Sequence, residues 1–244
     1  MLVRLTLISL LSLLILGCAS KIPLRDEKLA LPNLVIDCES FKSYGCLIVP
    51  NAYNEAEHEL IVYIRGFWGI HKGMVPNNLR VDSARQAINK FKLAELANNS
   101  NKVVFVIASS HLWLSKELLK SLAQVVATHT NTEKLEFSNV ILAAHSGGYK
   151  GLMPSIDMLL SQQQSSLVKI IMLDSYYSSD VAAISRASNE KIACVGFLTK
   201  HNKARFDSFY SKIGCVSDGP EGFQHSASVA ACLAKYVNQN SCID

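Results

Sequence analysis

Uninterrupted apolar blocks alternate along this chain with stretches whose apolar residues recur every three or four positions. The run Leu60, Ile61, Val62, Tyr63 and Ile64 predicts a strand that stops at Gly66. Ala84, Ala87, Ile88, Phe91 and Ala94 follow at helical spacing, and Ser83 with Gln86 predicts a capping box at the start of that helix. Residues 103–108 are continuously apolar, as expected of a central parallel strand buried on both faces. Leu118, Leu119, Leu122, Val125 and Val126 line one face of a second helix. Residues 140–144 predict another buried strand, which runs through His145-Ser146-Gly147-Gly148 into a helical stretch ending near Leu160. Residues 168–173 and 192–198 predict two more buried strands, with a short helix over 180–189 between them. A helix over 229–236 closes the chain, and 34–36 with 46–49 predict an antiparallel edge pair. Strands alternating with helices give an α/β fold with a mostly parallel central sheet of right-handed crossovers.

The amino end breaks this pattern. Arg4 is followed by an apolar segment over 5–16, too short to span a bilayer as a helix. It ends in Ile15-Leu16-Gly17-Cys18, which resembles the lipobox of bacterial lipoproteins. The resemblance implies cleavage after Gly17 and a diacylglycerol on Cys18, and Ala19 next to it resembles an outer-membrane address. Residues 1–17 then form a signal peptide, 18–33 a polar tether and 34–244 a single domain. The expected location is the bacterial cell envelope, with the chain held at the outer membrane, facing the periplasm or the surface, by its lipid.

Composition narrows the reading further. Of 244 residues, 49% are hydrophobic and 18% charged, which is globular rather than disordered or fibrous. The net charge of +4 is scattered, with no basic stripe for nucleic acid and no acidic tail. Seven cysteines become six once Cys18 is set aside for acylation: Cys38, Cys46, Cys194, Cys215, Cys232 and Cys242. An even set in an exported chain predicts disulfides. Cys38 and Cys46 flank a turn containing Gly45, Cys232 and Cys242 tie the tail to its helix, and Cys194 and Cys215 are left to each other. Buried cysteine also serves as a small apolar residue, so fewer than three bonds would satisfy the same sequence. No CxxC pair or Cys/His cluster has zinc spacing.

The chemistry concentrates at Ala144-His145-Ser146-Gly147-Gly148. A sharp turn between a buried strand and a helix exposes a nucleophile and aims the helix N-terminus at a developing oxyanion. The segment resembles the G-x-S-x-G nucleophile elbow of α/β-hydrolases, with Ala144 for the first glycine. The resemblance extends over most of the chain after the tether and implies the α/β-hydrolase fold, with Ser146 as nucleophile and the order nucleophile, acid, histidine. Asp174 stands at the carboxyl end of the strand after the nucleophile strand, and Asp207 and Asp218 are the competing acids. The more usual acid position, after the next strand, holds Thr199-Lys200-His201. His225 precedes the last helix, where the family places its general base, and His201 is its rival. The side chain of His145, as the second residue of the elbow, points away from the nucleophile in the family. The oxyanion hole implied by the resemblance consists of the Gly147 N–H and the Phe67 N–H, with Gly66 matching the family's His-Gly glycine and Arg65 in place of its histidine.

The stretch between Asp174 and Ile192 is too short for the large cap domain that many relatives insert there. An open site would admit bulky or polymeric substrates, and the expected partner is a small-molecule or polymeric acyl substrate. Esterase-like hydrolysis through an acyl-enzyme, with no cofactor and no metal, is the expected activity. Amide hydrolysis and acyl transfer use the same triad, and a non-catalytic envelope-binding lipoprotein on a hydrolase scaffold is the competing class.

Overall fold

The structure is a computed structural model that describes residues 34–53, 58–66, 75–162, 166–175, 182–199, 202, 215–217 and 225–242. Residues Pro32–Asp244 form one compact unit built on an eight-stranded sheet. The strands are β1 Leu34–Asp37, β2 Gly45–Pro50, β3 Glu59–Ile64, β4 Val103–Ile107, β5 Asn139–His145, β6 Leu167–Leu173, β7 Ala193–Phe197 and β8 Val216–Ser217. Their order across the sheet is β1-β2-β4-β3-β5-β6-β7-β8. β1 pairs antiparallel with β2 and β2 with β4, and every later pairing is parallel. This is the mostly parallel α/β sheet that the resemblance implied, with the central strands largely apolar because helices cover both faces.

Strand alternation assigns those faces. Leu60, Val62, Ile64, Phe105, Ile107, Leu142 and Ala144 point into a core closed by α3 Lys116–Thr130, α4 Tyr149–Leu160 and α5 Ala182–Asn189. Tyr63 points the opposite way and meets Phe91 of α1 Arg80–Phe91, ring centroids 5.7 Å apart. α1, α2 Leu93–Ser100 and α6 Ala227–Asn238 contact one another on that second face. The period of two along β5 therefore directs Ile141, Ala143 and His145 toward α1 and α6.

Three local expectations are corrected. The predicted capping box at Ser83 does not form: α1 begins three residues earlier, and the Ser83 hydroxyl instead donates to the Ala108 carbonyl at 2.9 Å. The helical periodicity through Ala94 is carried by two helices, because Lys92 adopts φ 54° and breaks the run between α1 and α2. Val168 is exposed, not buried: in β6 Leu167 and the residues from Ile170 onward are covered, while Val168 and, in part, Lys169 face outward. The six cysteine sulfurs form three bonds, Cys38–Cys46, Cys194–Cys215 and Cys232–Cys242. These are the pairs that chain order favoured.

Candidate active site

The chain leaves β3 toward β4 on one side and leaves β5 toward β6 on the other. The crevice between the carboxyl ends of β3 and β5 is thus the switch point of the sheet, where open α/β sheets build their sites. Both loops that open there belong to the sequence motifs. After β5, Ser146 takes φ 53°, a left-handed conformation that costs a non-glycine residue on the order of 1–3 kcal/mol. The surroundings hold it there. A Cβ on Gly148 would lie 2.4 Å from the Ile64 carbonyl oxygen, and one on Gly66 would lie 2.5 Å from the His145 carbonyl oxygen and 2.7 Å from the Ser146 Cβ. Two glycines let β3 and the elbow approach this closely. The Gly147 nitrogen belongs to the same contact, 2.9 Å from where a Cβ on Gly66 would stand.

Asp174 follows β6 directly and is fully buried, also in a left-handed conformation at φ 44°. Its own N–H donates to the Phe197 carbonyl at 2.8 Å, pinning it to β7. One carboxylate oxygen accepts from the Thr199 N–H at 3.0 Å and from Asn202 Nδ2 at 2.9 Å. The other accepts from the Thr199 hydroxyl at 3.0 Å and meets His225 Nδ1 at 2.5 Å. Burial alone would raise the carboxyl pKa. The donors from His225, Asn202 and Thr199 outweigh it and hold the group below its ordinary 3.8, so Asp174 is an anion. A carboxylate only accepts, so His225 Nδ1 carries a proton and Nε2 is the nitrogen left to take one. The His225 side chain is 45% exposed.

The other face of the elbow carries a second histidine. His145 Nε2 lies 2.9 Å from the His225 carbonyl oxygen, and the two rings are 4.7 Å apart at 40°. Phe91 meets the His145 ring edge-on at 5.1 Å. Burial, then repulsion between two imidazoles that would both be protonated, push the His145 pKa down to about 3, against the favourable carbonyl contact and Asp174. His145 is therefore neutral, with its proton on Nε2. Ser175, fully buried, donates its hydroxyl to the Ser146 carbonyl at 2.7 Å.

Arg65 occupies the position before Gly66. Its N–H donates to the Ile107 carbonyl at 3.1 Å, and its guanidinium donates to the Ser83 hydroxyl at 2.8 Å and to the Ser83 carbonyl. Burial lowers its pKa to about 10, with Tyr63 opposing. A buried guanidinium thus bolts the start of the loop after β3 to α1.

Of the sequence-derived residues, the structure brings Asp174 to His225 and sets Gly66 and Gly147 against Ser146. Phe67, Cys18, His201, Asp207 and Asp218 lie outside the described residues. Thr199, Asn202, Ser175 and the contact of His145 with His225 were missed. The strand that ends without an acid held the signal for Thr199, because it runs beside the strand that has one. The parity of His145 with Ile141 and Ala143 held the signal for its face.

No protein-family model matches the chain, and no curated protein matches it in sequence. Among solved structures it is similar to a hyperthermophilic esterase from the archaeon Pyrobaculum calidifontis, at 13% identity over 76% of this chain and 73% of that one, TM-score 0.43. It is similar to a poly(3-hydroxybutyrate) depolymerase from Bordetella parapertussis at 8% identity, over 84% and 87%, TM-score 0.45. A poly(aspartic acid) hydrolase from Sphingomonas sp. KT-1 resembles it at 11% identity, over 84% and 97%, TM-score 0.45.

Proposed function

We propose that this protein is a serine hydrolase of the esterase kind, with Ser146 as nucleophile, His225 as general base and Asp174 as the residue that orients it. The observation that carries the reading is the 2.5 Å contact of His225 Nδ1 with a buried, ionised Asp174, beside a serine strained into a strand-to-helix elbow. Ser146 Oγ attacks the acyl carbonyl while His225 Nε2 takes its proton. The tetrahedral oxyanion is met by the Gly147 N–H and, on the family resemblance, the Phe67 N–H. The oxyanion collapses to the acyl-enzyme as His225 returns the proton to the leaving alkoxide. Water, deprotonated by the same nitrogen, then releases the acid. The short stretch of sequence between Asp174 and the strand that follows supports an open site, which suits a bulky or polymeric acyl substrate as well as a small one.

A fluorophosphonate probe followed by peptide mapping tests this. The label is expected on Ser146, and Ser146→Ala is expected to lose both labelling and ester turnover at nearly unchanged thermal stability. Asp174→Asn should lower turnover by roughly 10⁴-fold, by favouring the wrong histidine tautomer. A wild-type protein that neither labels nor hydrolyses a panel of esters and amides would instead favour a binding module on the same scaffold. If Asp207→Asn proves the more damaging change, the acid moves to the later position.

We also propose export and anchoring through an acylated Cys18. Three disulfides support an oxidising compartment, and a diacylglycerol supplies the two chains that stable attachment needs. Wild-type protein expressed in a bacterial host should incorporate radiolabelled palmitate and Cys18→Ser should not. Absence of label from both overturns the anchor.

A further inference from the structure

Three turns carry the proposed triad, and a hydrogen bond joins each pair of turns. His225 Nδ1 donates to Asp174 at 2.5 Å, joining the segment before α6 to the turn after β6. Ser175 Oγ donates to the Ser146 carbonyl at 2.7 Å, joining the turn after β6 to the elbow. His145 Nε2 donates to the His225 carbonyl at 2.9 Å, joining the elbow back to the segment before α6. The circuit is closed. Two of these bonds come from side chains that flank the triad in sequence. We propose that His145 and Ser175 are positioning residues that fix Ser146 against the His225–Asp174 pair; this rests on the serine-hydrolase reading above.

The physical need is specific. A half-exposed imidazole held only through Nδ1 can swing about that bond, which moves Nε2 relative to the nucleophile. A second restraint removes the swing, and His145 supplies it at two points: a bond to the backbone carbonyl of His225, and ring contact at 4.7 Å. His145 is itself immobile, since it ends β5, is 6% exposed and is wedged by Phe91 at 5.1 Å. It is also the right donor electrically. When His225 becomes an imidazolium during turnover, a lysine or arginine at this place would repel that charge. A neutral imidazole offers the same N–H without repulsion. Ser175 acts on the other partner. Its hydroxyl holds the elbow peptide from the side of Asp174, so the nucleophile and the acid move together or not at all.

Neither residue touches the reacting atoms, so the expected signature is a loss in kcat at little change in KM. His145→Phe keeps the ring packing and removes the donor. It should lower kcat, and the rate of fluorophosphonate labelling with it, by roughly tenfold to a hundredfold, the scale of a small misplacement of a reacting group. His145→Gln restores an amide N–H on a side chain of similar reach and should recover most of that loss. Ser175→Ala should lower kcat by roughly threefold to tenfold, the scale of one ordinary hydrogen bond. The double variant His145→Phe/Ser175→Ala should lose less than the product of the single losses, because both act on one geometry. If His145→Phe does not fold, His145→Asn, whose amide stops short of the His225 carbonyl, takes its place.

Wild-type kcat and labelling in the phenylalanine variant would overturn the proposal, as would a glutamine variant no better than the phenylalanine one. A readout independent of turnover separates this from failure of the hydrolase reading. The His225 Nδ1 proton, assigned in NMR spectra by its loss in Asp174→Asn, should exchange slowly with solvent in the wild type and markedly faster in His145→Phe. If the wild type neither labels nor turns over any substrate, the hydrolase reading fails. Faster exchange in His145→Phe would still support the restraint, and unchanged exchange would overturn it.

Discussion

Ser146, Asp174, His145 and His225 show how little of a residue's behaviour is intrinsic. An aspartate buried without partners would be protonated, yet Asp174 stays ionised because Thr199, Asn202 and His225 all donate to it. A histidine at its ordinary 6.5 would titrate near neutral pH, yet burial and the nearness of the His225 imidazole hold His145 at about 3. Both shifts act in one direction on stability. For His145 the folded pKa lies below the unfolded one, so the unfolded chain binds the proton first as pH falls. Its contribution is complete above about pH 6.5 and is lost progressively toward pH 3. Asp174 is likewise lowered, so its contribution is present above 3.8 and is lost at lower pH. Between pH 6.5 and 4, then, His145 should dominate over Asp174, with a slope of up to about 1.4 kcal/mol per pH unit. Chemical denaturation across that range should show stability falling on acidification in the wild type and a visibly flatter profile in His145→Phe. Parallel profiles would mean that His145 takes up its proton in the folded state.

The elements place these residues through close backbone approach rather than through side-chain bulk. β3 and β5 are neighbours, and the loops that leave them would collide if either carried a Cβ at Gly66 or Gly148. Gly66→Ala is therefore expected to push the loop after β3 away from the elbow. An overpacked site of this kind costs about 1–3 kcal/mol, and turnover should fall further than stability because the Gly147 N–H is part of the contact. Paired measurement of denaturation and of labelling rate checks both. Full activity in Gly66→Ala would show that the loop can yield without disturbing the elbow. At this scale the sequence was legible where periodicity is strong, as over β3, β4, β5 and α3. It misled at Ser83, where a good capping residue is drawn into the helix interior by Arg65 and Ala108, partners supplied by two other elements. It also misled at Lys92, because helical spacing continues across a left-handed break that leaves both halves facing the sheet.

At the scale of the molecule, the disulfides fasten the two edges of the sheet and the carboxyl-terminal tail. Cys38–Cys46 closes the turn at the antiparallel edge, Cys194–Cys215 links β7 to the two-residue β8, and Cys232–Cys242 fastens the tail to α6. Removing Cys194–Cys215 by a double alanine change should cost roughly 2–4 kcal/mol, the entropy of a closed loop of this size. It should also weaken activity, because the bond restrains the strand whose end supplies Thr199 to Asp174. Thermal melts with and without reductant test the first part, and ester turnover of the variant the second. Unchanged melting with all six thiols freed would assign the stability to the core alone. The alternation of apolar blocks and helical spacing was enough to determine an α/β sheet, and the strand-turn-glycine sequence at Ser146 was enough to determine an elbow, since both are properties of consecutive residues. Which groups meet across the fold was decided only by the tertiary structure. His145 and His225 are 80 residues apart, Asp174 and His225 are 51, and Asp174 and Thr199 are 25. Those distances are closed by the order of the parallel crossovers. Local periodicity is blind to that order, because every arrangement of the same strands buries the same apolar faces.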